Sequence, residues 1–357
     1  MCTRVVYLGE QNTVITGRGM DWSEDMRTNL WLLPRGIERS GQGGVATPTW
    51  TSKYGSVIAS GYDMGTSDGM NEAGLVANLL YLAESQFGRA KGKPVLSISL
   101  WAQYVLDQFA TVAEAVAHLK QEPFRVAAPN LPNGRASTLH LSISDASGDS
   151  AIFEYLAGEL VVHHGKDYQV MTNSPAFDQQ LALNAYWKNI GGLTFLPGTN
   201  RAADRFARAS FLIDAVPKSV DKNYIAAVPD QDYGRQALAS TLGVLRSVGV
   251  PLGITTPNQP NISSTIWRTL SDHKNKVYYF DSATSPSIFW VNFKNVNFDA
   301  EQPVKKLIVE GGKIYSGDVA EHFVATPGFE FLAVGWVSGT SAQMASSTKG
   351  RESVPCS

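Results

Sequence analysis

Strand patterns and helix patterns alternate in groups along this chain, and no other feature constrains its fold as strongly. Stretches in which β-branched, aromatic and other apolar residues recur between turn residues predict strands. They cover residues 3–10, 13–22, 56–62, 74–82, 137–145, 150–164, 167–173, 263–281 and 285–293. Because the strands come in runs and are not each followed by one helix, the pattern favours two antiparallel sheets with helices outside over a parallel sheet.

Helical spacing of apolar residues follows the strand groups. It predicts helices over 94–109, 111–120, 174–187, 200–216 and 233–248. Thr111 and Glu114 are placed to form a capping box at the start of the second helix. Ser174 is the predicted N-cap of the third helix, with Pro175 at its first position. Residues 67–74, between two strands, are predicted to be a turn.

Size and charge narrow the class of protein. The chain has 357 residues, 43% of them hydrophobic, which is ample for a large core. No repeat, linker or composition break is present, so we expect one layered α+β domain over 2–337 and a flexible tail over 338–357. The formal net charge is -2 without a long basic run. Nucleic acid and anionic membranes are therefore not expected partners.

The N-terminus bears on the location of the protein. No apolar run approaches the ~20 residues of a membrane helix, and the charged and apolar segments of a signal peptide are missing. As written, the chain is expected in the cytoplasm after removal of Met1. A native signal peptide replaced by Met1 would leave the same sequence and imply a periplasmic protein.

Two cysteines occur, Cys2 and Cys356, and this sparse usage makes a disulfide between them the minor alternative. If an aminopeptidase removes Met1, Cys2 carries a thiol and a free α-amino group. An α-amino group has an ordinary pKa of about 7.7–8.0, so it can act as the base that a cysteine nucleophile needs. Many chains begin Met-Cys without catalytic use, so this feature alone leaves catalysis open.

Other catalytic signatures are missing from the sequence. It contains no G-x-S-x-G elbow, no P-loop and no G-x-G-x-x-G fingerprint. His163 and His164 are neighbours in a predicted strand and would point to opposite faces, which makes them poor ligands for one metal ion. We therefore expect no metal and no cofactor.

Five motifs give the chain a specific resemblance. They are MCT at the start, GRGMDW at 17–22, DGMNEAGL at 68–75, MTNSPAFD at 171–178 and LPGTNRAADRF at 196–206. In type and order they resemble the choloylglycine hydrolase family, which contains bile salt hydrolases and penicillin V acylases. The resemblance implies the four-layer αββα sandwich of N-terminal nucleophile hydrolases, and hydrolysis of a linear, non-peptide amide through a thioester.

The resemblance also implies a nucleophile and its immediate partners. Cys2 is the implied nucleophile, Arg18 lies near the thiol, and Asp21 holds the free amino group. Elementary chemistry agrees with these roles, because an arginine stabilises a thiolate and a carboxylate accepts hydrogen bonds from an amine.

Three further residues complete the implied catalytic set. Asn173 and the backbone amide of Tyr81 are the implied oxyanion donors. The helix predicted to start at Ser174 would favour negative charge beside Asn173. Arg205 is the implied arginine of the RF motif, and its role stays open between positioning Cys2 and positioning the substrate.

Met20, Trp22 and Tyr81 are the expected substrate-binding residues. By the same resemblance, bile salt hydrolases typically carry an asparagine at the position of Tyr81. The acylases resemble this chain and carry an aromatic residue there. An aromatic slot suits a phenoxyacetyl or fatty acyl group better than a steroid nucleus. We therefore expect a small-molecule acyl amide substrate and a protein of the Gram-negative penicillin V acylase type. Bile salt hydrolysis, acyl-homoserine lactone cleavage and a non-catalytic binding module remain alternatives.

The family resemblance implies a homotetramer as well. The segment between Phe177 and Arg205 is shorter than the assembly loop of many Gram-positive members. A homo-oligomer is therefore an expectation that rests on the resemblance alone.

Overall fold

The structure is a computed structural model that describes residues 2–44, 46–255 and 263–335. The predicted tail over 338–357, with Cys356, lies outside the described residues. The flexible tail, the single domain over 2–337 and the minor alternative of a Cys2–Cys356 disulfide therefore stay predictions.

The described residues contain five α-helices and twenty strands. The helices are α1 (Trp101–Gln108), α2 (Val112–Leu119), α3 (Phe177–Ile190), α4 (Ala202–Ala215) and α5 (Tyr233–Ser247). The strands are β1 (Cys2–Gly9), β2 (Thr13–Trp22), β3 (Leu30–Leu33), β4 (Glu38–Ser40), β5 (Thr49–Thr51), β6 (Ser56–Gly61), β7 (Gly65–Asn71), β8 (Val76–Tyr81), β9 (Val95–Ser97), β10 (Arg125–Ala127), β11 (Leu139–Ser144), β12 (Ser150–Leu156), β13 (Glu159–His164), β14 (Val170–Met171), β15 (Ser264–Asp272), β16 (Val277–Ser282), β17 (Phe289–Asn292), β18 (Lys305–Leu307), β19 (Gly317–Asp318) and β20 (Val324–Ala325).

Two large sheets dominate the described part of the chain. The first has the strand order β14-β1-β2-β15-β16-β17-β19, and the second has the order β13-β12-β11-β8-β7-β6-β3-β18-β20. The strand pairs that form the second sheet are antiparallel, and β17 with β19 is a parallel pair in the first. The two antiparallel groups predicted from the strand runs are therefore present.

Helices cover the outer face of each sheet. Helices α4 and α5 pack on β1 and β2 of the first sheet, and α1 packs on β7 and β8 of the second. One apolar core contains residues of both sheets and of α4, such as Val5, Met70 and Ala209. A second core lies between the second sheet and α1 and α2, with Ile58 and Leu106 among its members. The predicted αββα sandwich is confirmed.

Strand β2 lies between β1 and β15, and all ten of its residues are buried. Helix α5 covers this region of the sheet, and the second sheet faces it from the other side. Arg18 and Asp21 on this strand are thus carried into the interior, where a charge is tolerated only when it is paired. The strand therefore fixes where charged chemistry can occur.

Residues 67–74 are not a turn throughout, contrary to the prediction. Strand β7 runs to Asn71, and the turn that follows is closed by Asn71 Oδ1, which accepts the N–H groups of Ala73 (3.1 Å) and Leu75 (2.9 Å). Asp68, which suggested a turn, is a buried strand residue that accepts a hydrogen bond from Asn78 at 2.6 Å. Strand pairing and buried partners override the local preference of these polar residues.

The third predicted helix begins later than expected. Helix α3 starts at Phe177 with Ala176 as its N-cap and without a cap from Ser174. The Phe177 N–H is bonded by the carboxylate of Glu154, at 3.1 and 3.2 Å. The predicted N-cap at Ser174 is therefore wrong, and Glu154 bonds the start of the helix. The favourable effect of this helix end on negative charge beside Asn173 stays a prediction.

The first predicted helix is also shorter than expected, because residues 95–97 form β9 and pair with β10 before α1 begins at Trp101. The N-cap half of the predicted capping box is confirmed at the next helix, whereas Glu114 bonds the N–H of the residue before Thr111 and not that of Thr111 itself. Thr111 Oγ1 accepts the Glu114 N–H at 3.2 Å, and the Glu114 carboxylate accepts the Ala110 N–H at 2.9 Å.

Candidate active site

Cys2 is the first residue of β1, and its side chain is buried. The antiparallel register of β1 and β2 places Cys2 opposite Met20. Asp21, the next residue of β2, therefore lies just beyond the amino end of Cys2. The sheet register thus places the Asp21 carboxylate next to the position that a free Cys2 amine would occupy.

Arg18 approaches the thiol from the neighbouring strand. Its Nη2 lies 3.6 Å from Cys2 Sγ and 3.5 Å from Met20 Sδ, and it donates to the Leu79 carbonyl at 2.9 Å. Its guanidinium carbon lies 4.6 Å from the centre of the Trp267 ring. Arg18 therefore places a buried positive charge beside the Cys2 thiol.

Asn173 follows β14, whose antiparallel register with β1 brings it opposite Cys2. Its Oδ1 accepts the Cys2 backbone N–H at 2.6 Å and Arg205 Nη2 at 2.8 Å, and these two donors fix the orientation of the amide. Its Nδ2 donates to the Tyr81 carbonyl at 2.6 Å. An amide nitrogen carries two hydrogens, so a second can be donated to an oxyanion.

Tyr81 is the last residue of β8, and its carbonyl accepts a hydrogen bond from Asn173 Nδ2. Leu82 donates its N–H to the Thr138 carbonyl, on the side of β11. Successive residues of an antiparallel strand alternate in direction, so the Tyr81 N–H points away from β11, to the side where the Tyr81 carbonyl meets Asn173. The geometry suits the predicted use of this amide as an oxyanion donor.

Arg205 is buried near the start of α4 and ties several backbone and side-chain groups together. Its Nη1 donates to the Cys2 carbonyl (2.6 Å) and to Thr3 Oγ1 (2.5 Å), and lies 3.6 Å from Asp21 Oδ2. Burial lowers the pKa of Arg205, and the nearby Asp21 and Cys2 offset only part of this shift. Asp21 Oδ1 also accepts the Thr265 hydroxyl at 2.6 Å. These contacts favour positioning of Cys2 over binding of substrate as the role of Arg205.

Five of the residues predicted from the motifs thus meet within one buried cluster. We call this cluster the nucleophile centre, and it consists of Cys2, Arg18, Asp21, Asn173 and Arg205.

A small cavity, ≈ 90 Å³, opens beside Cys2 and is walled mainly by apolar side chains. The wall residues include Met20, Trp22, Met26, Met64, Leu79, Tyr81, Leu131, Leu139 and Leu332. All three predicted substrate-binding residues line it. Typical pockets for drug-sized ligands measure about 300–1,000 Å³, so this cavity suits one compact apolar group. We call it the acyl pocket.

Polar groups that no sequence motif indicates hold Trp22 at the edge of the acyl pocket. Trp22 Nε1 donates to the Tyr62 hydroxyl at 2.6 Å, and that hydroxyl donates to Glu24 at 2.5 Å. Asn133 Nδ2 donates to Glu24 and Tyr62 at 2.8 and 3.0 Å, and the Arg135 guanidinium lies 5.4 Å from the Trp22 ring centre. We call these five residues the pocket mouth. They come from three separate parts of the chain, so the sequence carried no signal for them apart from Trp22, which belongs to the GRGMDW motif.

Asp68 is another residue of the site whose position beside Arg18 was not predicted from the sequence. It lies 3.8 Å from Arg18, and both side chains are fully buried. The DGMNEAGL motif was the available signal, since the resemblance marked it although the local pattern indicated a turn.

The structure gives the histidine pair separate partners, as the strand pattern predicted. His163 lies 3.9 Å from Glu154, and His164 lies 2.7 Å from Asp149. Within the described ranges, no group of three or more His, Cys, Asp or Glu residues could hold a metal ion. No helix in that part of the chain is long and apolar enough to cross a membrane.

The αββα fold, with a cysteine on an inner strand end among these partners, defines a hydrolase of the N-terminal nucleophile class. The family model of the linear amide C–N hydrolases, choloylglycine hydrolase family, matches residues 2–306. The chain therefore belongs to this family, and the predicted resemblance is confirmed. The protein is a hydrolase that acts on non-peptide C–N bonds in linear amides.

Characterised relatives cover nearly the whole chain. A penicillin V acylase of Pectobacterium atrosepticum is 50% identical over 351 residues, which is 93% of this chain and 92% of that protein. A bile salt hydrolase/transferase of Clostridium perfringens is 27% identical over 336 residues, with 85% and 95% covered.

Solved structures give the same order of similarity. The penicillin V acylase from Agrobacterium tumefaciens matches with a TM-score of 0.84 at 55% identity. The match covers 93% of this chain and 100% of the acylase chain. A mutant conjugated bile acid hydrolase from Clostridium perfringens matches with a TM-score of 0.71 at 22% identity, over 88% and 98%. The second likeness shows the fold alone.

Proposed function

We propose that this protein is a penicillin V acylase, which releases the phenoxyacetyl side chain from the β-lactam nucleus. The observation that carries the proposal is the acyl pocket beside Cys2, where the rings of Trp22 and Tyr81 lie 6.4 Å apart. A phenyl ring gains aromatic and aliphatic partners there, whereas a volume of ≈ 90 Å³ leaves little room for a steroid. The two similar acylases support the same substrate.

The proposed reaction begins with removal of Met1, which frees the Cys2 amine. This amine, held by Asn173 Oδ1, takes the proton of the thiol, and the thiolate attacks the amide carbonyl carbon. Arg18, at 3.6 Å from Cys2 Sγ, stabilises the thiolate. Asp21 lies beside the amino end and stabilises the protonated amine.

Bond formation between Cys2 Sγ and the carbonyl carbon turns the carbonyl oxygen into an oxyanion. Asn173 Nδ2 and the Tyr81 amide donate to it. When this intermediate collapses, the C–N bond breaks and the protonated amine of Cys2 gives its proton to the leaving nitrogen. Water then attacks the thioester with the amine as base, releases the carboxylic acid and restores the thiol.

Two other substrates fit the same chemistry. The bile salt hydrolase relative from Clostridium perfringens keeps bile salt hydrolysis as the second candidate, and an apolar acyl pocket also suits an acyl-homoserine lactone. A non-catalytic relative is the alternative from another class. Intact-mass analysis that shows Met1 retained in the native protein would support it, because the mechanism requires a free Cys2 amine.

The test is side-by-side turnover of penicillin V, glycocholate and a long-chain acyl-homoserine lactone. We expect the highest kcat/KM on penicillin V. Cys2→Ala should lower it by about 10⁴-fold or more, because a nucleophile that acts as part of a unit cannot be replaced by its neighbours, while Cys356→Ser keeps full activity. Higher kcat/KM on glycocholate would make bile salt hydrolase the function, and an active Cys2→Ala would refute the mechanism.

We also propose a homo-oligomer in solution. Apolar side chains at the end of α3 and in the loop after it are exposed: Leu183 43%, Tyr186 61%, Leu193 97% and Phe195 55%. An exposed apolar cluster of this kind marks an interaction surface. Light scattering should give a mass above that of one chain, and a monomer would refute this. Cytoplasmic location is proposed for the chain as written, and cell fractionation tests it against the periplasm.

A further inference from the structure

We propose that Asp68 is a positioning residue that holds Arg18 against the Cys2 thiol and limits, through its negative charge, how strongly Arg18 favours the thiolate. The proposal rests on the proposed function only in taking Cys2 as the nucleophile. It assigns a purpose to the DGMNEAGL motif, whose aspartate no step of the reaction described above uses.

Asp68 is surrounded by donors. Tyr278 donates its hydroxyl to Asp68 Oδ1 at 2.6 Å, and Asn78 Nδ2 donates to Oδ2 at 2.6 Å. Arg18 Nη1 lies 3.8 Å from the same Oδ2. Burial raises the pKa of Asp68, and Arg18, Tyr278, Asn78 and Thr269 offset only part of this rise. The cation and the neutral donors that converge on both oxygens are the groups that stabilise the carboxylate against burial.

The guanidinium of Arg18 connects this carboxylate to the thiol. Its Nη1 faces Asp68 and donates to Ser67 Oγ at 3.3 Å, while its Nη2 faces Cys2 Sγ at 3.6 Å and donates to the Leu79 carbonyl. Since a guanidinium is planar and rigid, holding one end fixes the other. Asp68 therefore positions the nitrogen that approaches the nucleophile without touching the thiol itself.

Charge pairing gives Asp68 its second effect. Arg205 has Asp21 at 3.6 Å, and Arg18 has Asp68 at 3.8 Å, so each buried arginine of the site has its own carboxylate. Loss of the Asp68 charge alone would leave Arg18 uncompensated beside the thiol. The charged and titratable groups that face this network from the packed elements are Cys2 on β1, Arg18 and Asp21 on β2, Asp68 on β7, Tyr278 on β16 and Arg205 on α4.

Asp68→Asn separates charge from position. An asparagine keeps the shape of the side chain and an oxygen for Arg18, and the Tyr278 hydroxyl can accept from its amide. We expect the acid limb of the Cys2 alkylation rate by iodoacetamide to move to lower pH by about one unit, because the Arg18 charge beside the thiol then lacks its buried counter-charge. Alkylation is followed by mass spectrometry of the Cys2 peptide. It needs no substrate, so this result does not depend on which amide the enzyme cleaves.

Asp68→Ala removes the charge and the anchor of Arg18 together. We expect kcat to fall at least tenfold below that of Asp68→Asn on the best substrate, since Arg18 is then free to leave the thiol. Equal kcat in the two variants would refute the positioning part of the proposal.

Asp107→Asn is the matched control. Asp107 is also a buried aspartate paired with an arginine, Arg39 at 2.8 Å, and it accepts Trp50 Nε1 at 2.8 Å, but it belongs to α1 on the far side of the second sheet. We expect it to lower the Tm while the acid limb stays at the wild-type pH. If Asp68→Asn lowers the Tm and leaves the limb in place as Asp107→Asn does, or moves the limb to higher pH, the electrostatic role of Asp68 is refuted.

Discussion

The nucleophile centre and the pocket mouth lie next to each other but are built differently. The side chains of the nucleophile centre come from β1, β2, α4 and the segment that follows β14, and all are buried, with Arg18 and Arg205 fully inaccessible. The side chains of the pocket mouth come mainly from connecting segments, where Glu24 and Asn133 are exposed and Tyr62 is half-buried. One region is fixed by sheet register and the other by hydrogen bonds across loops.

This difference separates chemistry from substrate choice. In the buried centre each charge needs its partner, because an unpaired charge in the interior is costly, so single changes there should disable the reaction. At the mouth water can replace a lost hydrogen bond, which limits the cost to about 0.5–1.5 kcal/mol. Changes at the mouth should therefore alter which acyl group is accepted while leaving the nucleophile intact.

The largest effect expected within this comparison is that of Asn173→Ala. It removes the proposed oxyanion donor together with the acceptor of the Cys2 N–H, and loss of one such donor costs about 10²–10³-fold in kcat. The control is Asn133→Ala at the pocket mouth, which should change KM and leave kcat within a few-fold. Steady-state kinetics on one substrate checks both. Similar losses of kcat in the two variants would erase the distinction between the regions.

A pH effect on stability sharpens the comparison, because acid inactivation must be separated from unfolding. His273 is fully buried, with Gly74 O at 2.7 Å and Thr16 Oγ1 at 2.8 Å, and burial lowers its pKa from 6.5 to about 4. The unfolded chain therefore binds this proton at higher pH than the folded protein. The stability from the neutral ring is present above about pH 6.5 and is lost as the pH falls towards about 4, by about 3 kcal/mol in total.

Urea denaturation between pH 7 and pH 4 measures this loss. The free energy of unfolding of the wild type should fall steadily over this range, and that of His273→Gln should fall less. An equal slope in the two proteins would assign the acid sensitivity to other groups. If activity falls at an acid pH at which the protein is still folded, that loss is then assigned to the nucleophile centre and not to unfolding.

Tyr81→Asn tests the side chain that lines the acyl pocket between the nucleophile centre and the pocket mouth. The backbone amide of Tyr81 is retained, so the proposed oxyanion donor remains, while the ring that faces Trp22 is lost. An aromatic contact is worth about 0.5–1.5 kcal/mol beyond area burial, so kcat/KM on penicillin V should fall several-fold. Turnover of glycocholate should fall less or rise. A parallel fall on both substrates would show that the ring supports the site as a whole.

The smallest change is expected from Tyr62→Phe at the pocket mouth. It removes the oxygen that accepts from Trp22 Nε1 and donates to Glu24. We expect a two- to ten-fold rise in KM for penicillin V, because water can replace most of the hydrogen bonds that the hydroxyl makes with Trp22, Glu24 and Asn133 at this exposed mouth, and an unchanged rate of Cys2 alkylation. A lower alkylation rate would mean that the mouth and the nucleophile are coupled, contrary to the comparison.

The sequence by itself determined the layered architecture and most of the nucleophile centre. Grouped strand patterns predicted two antiparallel sheets because the period of apolar residues is a local property that one segment carries alone. The motifs around Cys2, Arg18 and Asn173 could be assigned by resemblance, and the structure brings these residues together. Their convergence follows from strand register, which the buried faces of β1 and β2 specify strongly.

Only the tertiary structure decided the roles of residues whose local pattern pointed elsewhere. Asp68 looked like a turn residue and Ser174 like a helix cap, yet Asp68 is paired with Arg18 inside a strand, and the start of α3 is bonded by Glu154. Tyr62 reaches Trp22 from a part of the chain forty positions away. The physical reason is the same in each case: the partner that stabilises the polar group comes from a distant segment, and no local pattern contains it.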